Sequence, residues 1–141
     1  MTETVHATCV AIGGRGVLIR GRSGSGKSDL ALRMIDRGAG LVSDDYTIVT
    51  AKDGRAFARA PEAIAGRLEV RGVGLVDLPA KADVPVCLLA DLDWPPERLP
   101  EAARGVAVAG TIVPGLGLAA LEASAPLKLE QALLRFGLPL P

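Results

Sequence analysis

The chain has 141 residues, 49% hydrophobic and 23% charged, with 16 Lys plus Arg set against 16 Asp plus Glu. That length buries a core without disulfides, and the balanced charge excludes both a disordered polyelectrolyte and a basic nucleic-acid surface. Cys9 and Cys87 each lie in an apolar stretch and read as small buried hydrophobes; no run approaches the roughly 18 apolar residues of a membrane span, and no basic, apolar leader opens the chain. Neither nucleic acid nor membrane is expected as a partner, and the cytoplasm is the expected compartment.

Val5 to Ile12 and Val17 to Arg20 are β-rich runs separated by Gly13-Gly14-Arg15-Gly16, the pattern of an antiparallel hairpin. Residues 21–28, Gly21-Arg22-Ser23-Gly24-Ser25-Gly26-Lys27-Ser28, then match G-x-x-x-x-G-K-[ST]. They sit between a strand, Gly16 to Ile19, and a helix, Ser28 to Arg37, the context that separates a phosphate-binding loop from a plain turn. In such a loop the backbone N–H groups face one anion and the helix start adds its positive dipole end. Lys27 neutralises the outer phosphates and the Ser28 hydroxyl ligates magnesium. A nucleoside triphosphate or pyrophosphate is the expected ligand. Along the helix, Leu30, Ala31, Met34 and Ile35 share one face, and Gly38 suits its end.

Gly40 to Ser43 begins another strand, which runs into Asp44-Asp45, and Tyr46 to Thr50 follows, with a Lys52-Asp53-Gly54 turn and a return over Arg55 to Ala60. The two aspartates come 17 and 18 residues after Lys27. A strand that directly follows the loop helix returns beside the loop, bringing both carboxylates toward the γ-phosphate. Adjacent side chains on a strand point to opposite faces, so the pair need not do the same job: one can serve the metal shell and the other face the incoming nucleophile. If Asp45 is the base, accepting the proton of an attacking hydroxyl as an aspartate does in protein kinases, Asp44 is left for the metal. The alternative is a turn cap between two strands.

In Leu68 to Asp77, Glu69 and Arg71 alternate with apolar residues and point one way off a strand, with Gly72 and Gly74 beyond them. That is either an acid for magnesium beside a base for phosphate, or the solvated face of an edge strand. Val84 to Leu92 is a continuous apolar strand, Trp94 to Pro100 an ordered surface loop, and Gly105 to Val113 one further strand. Ser124 or Ala125 caps a last helix with Pro126 in its first turn and Leu129, Ala132, Leu133 and Phe136 on one face; Leu138 to Pro141 is read as a frayed tail. His6, the only histidine, has no motif of its own and reads as structural by spacing alone. The whole is expected to be one domain over residues 1–141, α/β with a mixed, largely antiparallel sheet.

His6 placed 21 residues before Lys27, the Gly21 to Ser28 loop, Leu41-Val42-Ser43-Asp44-Asp45 and the Leu68 to Asp77 stretch together resemble the C-terminal catalytic domain of the HPr kinase/phosphorylase family. Looser similarity continues through Leu92-Asp93-Trp94 and Glu97-Arg98-Leu99. The resemblance implies a phosphoenolpyruvate carboxykinase-like fold. It also implies ATP- and Mg2+-dependent phosphorylation of a serine on HPr, the phosphocarrier protein of the sugar phosphotransferase system, with phosphorolysis of phosphoserine-HPr in reverse. By the same resemblance Asp45 would be proton acceptor and, in reverse, proton donor; Lys27 would hold the β- and γ-phosphates; Ser28 and Glu69 would ligate magnesium; His6 would tune Asp45; and Arg98 would be the active arginine.

Three departures from the family pattern carry expectations of their own. The usual N-terminal domain has no counterpart ahead of His6, which implies a short single-domain form. Leu78 to Asp83 is shorter than the insertion of longer members, and a homo-oligomer is expected with its copy number left open. Ile112 to Gly117 stands in place of a Pro-Gly-Arg segment associated with phosphorolysis and carries no arginine, so the kinase direction is expected to survive and the reverse to be weak. Two other functions remain in view: an ATP-binding regulatory module without turnover, and a small-molecule kinase.

Overall fold

The computed structural model describes residues 1–141. In chain order the strands are β1 (Thr2–Val5), β2 (Ala7–Ile12) and β3 (Arg15–Arg20), followed by helix α1 (Lys27–Asp36). Next come β4 (Gly40–Ser43), β5 (Thr47–Lys52), β6 (Arg55–Arg59), β7 (Arg67–Val70), β8 (Gly74–Asp77), β9 (Val84–Asp91), β10 (Arg104–Val108) and β11 (Thr111–Gly117). Helix α2 (Ala125–Phe136) follows them.

Nine strands form one curled sheet in the order β1-β5-β6-β9-β3-β2-β4, with the β10–β11 hairpin attached through β11 to β9. β9 is its hub. One edge pairs in parallel with β3; the other is shared between β6 at Pro85 and Val84 and, farther along, β11 at Leu89 to Asp91. The β9–β11 ladder is parallel as well and every other ladder is antiparallel, so the sheet is mixed and largely antiparallel as expected.

Successive residues of the central strands enter two different cores. Val17, Ile19, Leu88 and Ala90 point to the helical face and pack with Leu30 and Met34 of α1 and Leu129 and Leu133 of α2. Leu18, Val86 and Leu89 point the other way, into a core closed by Val49, Ala58, Val108 and Val113 from the outer strands. A strand covered on both faces must be apolar throughout, which is why Val84–Asp91 shows no polar alternation.

Four local expectations need correction. The run from Val5 to Ile12 is not one strand: it breaks at His6, where β1 pairs with β5 while β2 pairs with β3 and β4. Gly105 to Val113 is likewise two strands, turned at Ala109 and Gly110 with φ of 49° and 78°. Leu68 to Asp77 is a two-stranded hairpin, β7 with β8, rather than an edge strand of the main sheet. The C-terminal residues are tied down: the Leu138 amide donates to the Cys87 carbonyl at 2.9 Å, Arg15 Nη2 donates to the Leu138 carbonyl at 2.7 Å, and Arg55 Nη2 donates to the Pro139 carbonyl at 2.7 Å. No helix is long and apolar enough to cross a membrane.

Cys9 is buried in the core away from the helices, and that burial pushes its thiol up to about 12 from an ordinary 9.0, against a smaller opposing effect of the Val17 backbone. Above pH 9 the unfolded chain therefore releases this proton while the folded chain keeps it, and the stabilisation present below pH 9 declines toward pH 12. Cys9→Ala should lose about 1 kcal/mol less stability than the parent between pH 9 and 10, read from urea midpoints at the two pH values.

Candidate active site

β3 delivers the chain from the middle of the sheet into residues 21–26, and α1 starts at Lys27. Gly24 and Gly26 have φ of 82° and 101°, a region that side-chain-bearing residues avoid, so the loop can curl with its amides inward. At Gly21 a Cβ would stand 2.6 Å from Ser25 Oγ, so the loop closes only on glycine. Ser25 Oγ is itself buried without a hydrogen-bond partner, and no side chain caps the start of α1. Lys27 arches over the loop, Nζ donating to the carbonyls of Gly21 at 2.8 Å and Arg22 at 3.1 Å. An orphaned hydroxyl, an uncapped helix start and a buried ammonium in one cradle fit a polyphosphate.

Over this loop lies a cavity of about 510 Å3. Ser28, Asp29 and Leu32 of α1 form its floor, Glu69 to Arg71 of the hairpin one wall, with Asp45 and Leu121 also facing it. Asp44 is buried beside it. Its Oδ1 accepts from Ser28 Oγ at 2.6 Å and from Thr8 Oγ1 at 3.3 Å, while Oδ2 accepts from the Glu69 amide at 2.9 Å. Ser28, Asp44 and Glu69 thus offer hard oxygen donors beside the loop, a set whose chemistry fits Mg2+. No three His, Cys, Asp or Glu side chains form an ion cage by themselves.

Asp45 behaves differently although it is the next residue. Its backbone is left-handed, φ 65°, and its amide donates to Thr8 Oγ1 at 3.0 Å. That conformation, and not strand alternation, turns the two carboxylates apart, because β4 has already ended at Ser43. The Asp45 side chain is half exposed and Oδ1 lies 2.9 Å from His6 Nε2. His6 sits at the break between β1 and β2 and stacks on Tyr46, with ring centroids 5.0 Å apart. A histidine that spacing alone read as structural is therefore hydrogen-bonded to an acid on the cavity.

The structure gathers His6, Lys27, Ser28, Asp44, Asp45 and Glu69 with the loop Gly21 to Gly26, and leaves Arg98 elsewhere. Arg98 lines a second cavity, against α2, and Gly115 to Gly117 of β11 line that same second cavity. Sequence reasoning missed Thr8, which joins both aspartates; a lone hydroxyl inside Ala7-Thr8-Cys9-Val10 was its only signal. It also missed Asp91 and Asp93 at the end of β9. Asp91 Oδ2 accepts from Arg20 Nε at 2.9 Å, and Asp93 Oδ2 accepts from the Arg22 amide at 2.9 Å, anchoring the start of the loop. Acids at the C-terminal end of an apolar central strand were the available clue.

The family described as HPr Serine kinase C-terminal domain matches residues 1–81. The chain belongs to that family. Among relatives of the HPr serine kinase domain, HPr kinase/phosphorylase of Clostridium beijerinckii is 45% identical over 74 residues, 52% of this chain and 24% of that protein. The Clostridium perfringens protein of the same name is 46% identical over 76 residues, 54% of this chain and 25% of the other. This chain thus spans about a quarter of the length of these relatives. A solved structure, the Hpr(Ser) kinase/phosphatase from Coxiella burnetii, superposes with a TM-score of 0.82 at 27% identity, covering 94% of this chain and 88% of that one. The family match takes in the loop, both aspartates and Glu69 but ends before Arg98. Membership of a kinase family implies nucleotide use, in keeping with the cradle.

Asp44→Ala removes the acceptor that holds the hairpin. Exchange of the Glu69 amide proton, followed by NMR, should accelerate about tenfold or more in that variant and stay near the parent rate in Asp45→Ala.

Proposed function

We propose that this chain transfers the γ-phosphoryl group of ATP to a seryl hydroxyl of the phosphocarrier protein HPr, working as a single catalytic unit. The observation that carries the proposal is the division between neighbouring aspartates at one phosphate loop: Asp44 bonded inward to Ser28 at 2.6 Å, Asp45 turned outward to His6 at 2.9 Å. An inward carboxylate bonded to the loop serine suits a metal shell; an outward one at the cavity mouth suits a hydroxyl arriving on another protein.

Asp45 accepts the seryl proton as the oxygen attacks the γ-phosphorus, whose bond to the β–γ bridging oxygen breaks and releases ADP. His6, donating through Nε2, holds the carboxylate in place and leaves its second oxygen for the substrate hydroxyl. Lys27 leaves its carbonyl partners to neutralise the β- and γ-phosphates, and the loop amides with Ser25 Oγ hold the phosphate chain. Ser28, Asp44 and Glu69 would hold Mg2+, whose charge would offset that of the phosphates. Arg71 faces the same cavity from the hairpin and adds a second positive group. Asp45→Asn should lower phosphorylation of HPr about 10²–10⁴-fold while nucleotide affinity stays near the parent value, read by the mass of HPr and by calorimetry. Unchanged turnover would instead support a regulatory nucleotide binder, and labelled phosphate on a metabolite a small-molecule kinase.

Phosphorolysis should be the weaker direction. Residues 112–117 supply no arginine, and Gly115 to Gly117 are held along β9 beside the second cavity rather than at the phosphate loop. Phosphoserine-HPr incubated with Mg2+ and millimolar phosphate should release pyrophosphate far more slowly than HPr is phosphorylated by ATP; comparable rates would refute this.

A further inference from the structure

The second cavity, about 460 Å3, lies between the loop after β9, the end of β11 and α2. Its volume is in the range of small-molecule sites. Leu116, Leu118, Leu127 and Phe136 give it an apolar wall. Four basic side chains, Arg98, Arg104, Lys128 and Arg135, face two acidic ones, Glu97 and Glu122. Lys128 is paired with Glu122 at 2.9 Å. The three arginines have no carboxylate partner: Arg104 lies over the Trp94 ring at 4.4 Å, Arg135 over Phe136 at 5.3 Å, and Arg98 forms no ion pair. Elsewhere Arg20, Arg22, Arg33, Arg37 and Arg67 each stand beside an aspartate or glutamate, Arg15, Arg55 and Arg59 donate to carbonyl or hydroxyl oxygens, and Arg71 faces the phosphate cavity.

Unpaired guanidiniums attract a carboxylate or phosphate, and a leucine and phenylalanine wall favours an apolar body. We propose that this cavity is a binding site for an amphipathic anion: an apolar chain or ring carrying one carboxylate or phosphate head, held by Arg98, Arg104 and Arg135. The site is separate from the phosphate loop and does not depend on the reaction proposed above.

Trp94 is the only tryptophan and reports on this place. Its ring lies 3.4 Å from the Cβ position at Gly115, a residue of the cavity lining. The probe is 1-anilinonaphthalene-8-sulfonate, an aromatic body with one anionic head, titrated while energy transfer from Trp94 is read. Saturable transfer is expected, displaced by octanoate or octyl phosphate and not by octanol; the order of the two anions assigns the preferred head. Joint Arg98→Gln and Arg135→Gln substitution should weaken the probe about tenfold or more, with the circular dichroism of the free protein unchanged. Absence of transfer, equal displacement by octanol, or parent-like affinity in the variant overturns the proposal. Displacement by pyrophosphate also overturns it, because the dye would then occupy the phosphate cradle. Should the variant fail to fold, the competition series on the parent chain decides alone.

Discussion

Three hydrogen bonds converge on the Asp44 carboxylate, and the working surface of the molecule depends on them. They come from α1 through Ser28, from β2 through Thr8 and from the hairpin through the Glu69 amide. A carboxylate in so dry a place is tolerable only with its oxygens bonded, and three donors do that. The converse holds for the hairpin. β7 and β8 pair only with each other, and a two-stranded ribbon has little stability of its own. Leu68, fully buried, Val70, packed against the same core, and the Glu69 amide attach it, so the positions of Glu69 and Arg71 over the loop follow from a small apolar contact and one aspartate.

Thr8 extends the same construction to the neighbouring residue. Its hydroxyl donates to Asp44 and accepts from the Asp45 amide, so both aspartates are set from one point on β2. Buried polar groups of this kind are few in the chain, and Thr8, Ser43, Asp44, Thr47 and Lys27 all lie close to the phosphate loop or to the strand ends that lead to it. Buried hydrogen bonding is concentrated there, while the outward face, His6, Tyr46 and the Asp45 side chain, stays open to solvent.

How far the sequence could be read followed the range of the forces involved. The loop is legible because its chemistry is written in eight consecutive residues, and the aspartates because a strand that follows a helix directly has few places to go. The Ala109-Gly110 turn carries no Asn-Gly or Asp-Gly signal, so a hairpin read as one strand. The break at His6 is a tertiary event: the strand leaves one partner for two others, and nothing in Val5-His6-Ala7 announces it. The tail looked free because its partners, Arg15, Arg55 and Cys87, are far off in the chain. Arg98 was placed by a short likeness outside the region where the family match is firm, and the fold puts it in another cavity.

The left-handed turn at Asp45 also bears on how this position can change over evolutionary time. Few side chains accept that geometry; asparagine, glycine and aspartate do so most readily, and branched residues resist it. A lengthened acid would be strained as well as misplaced. Where selection did not hold a carboxylate at this position, drift to asparagine or glycine would meet least resistance, and the shape of the turn would outlast the acid.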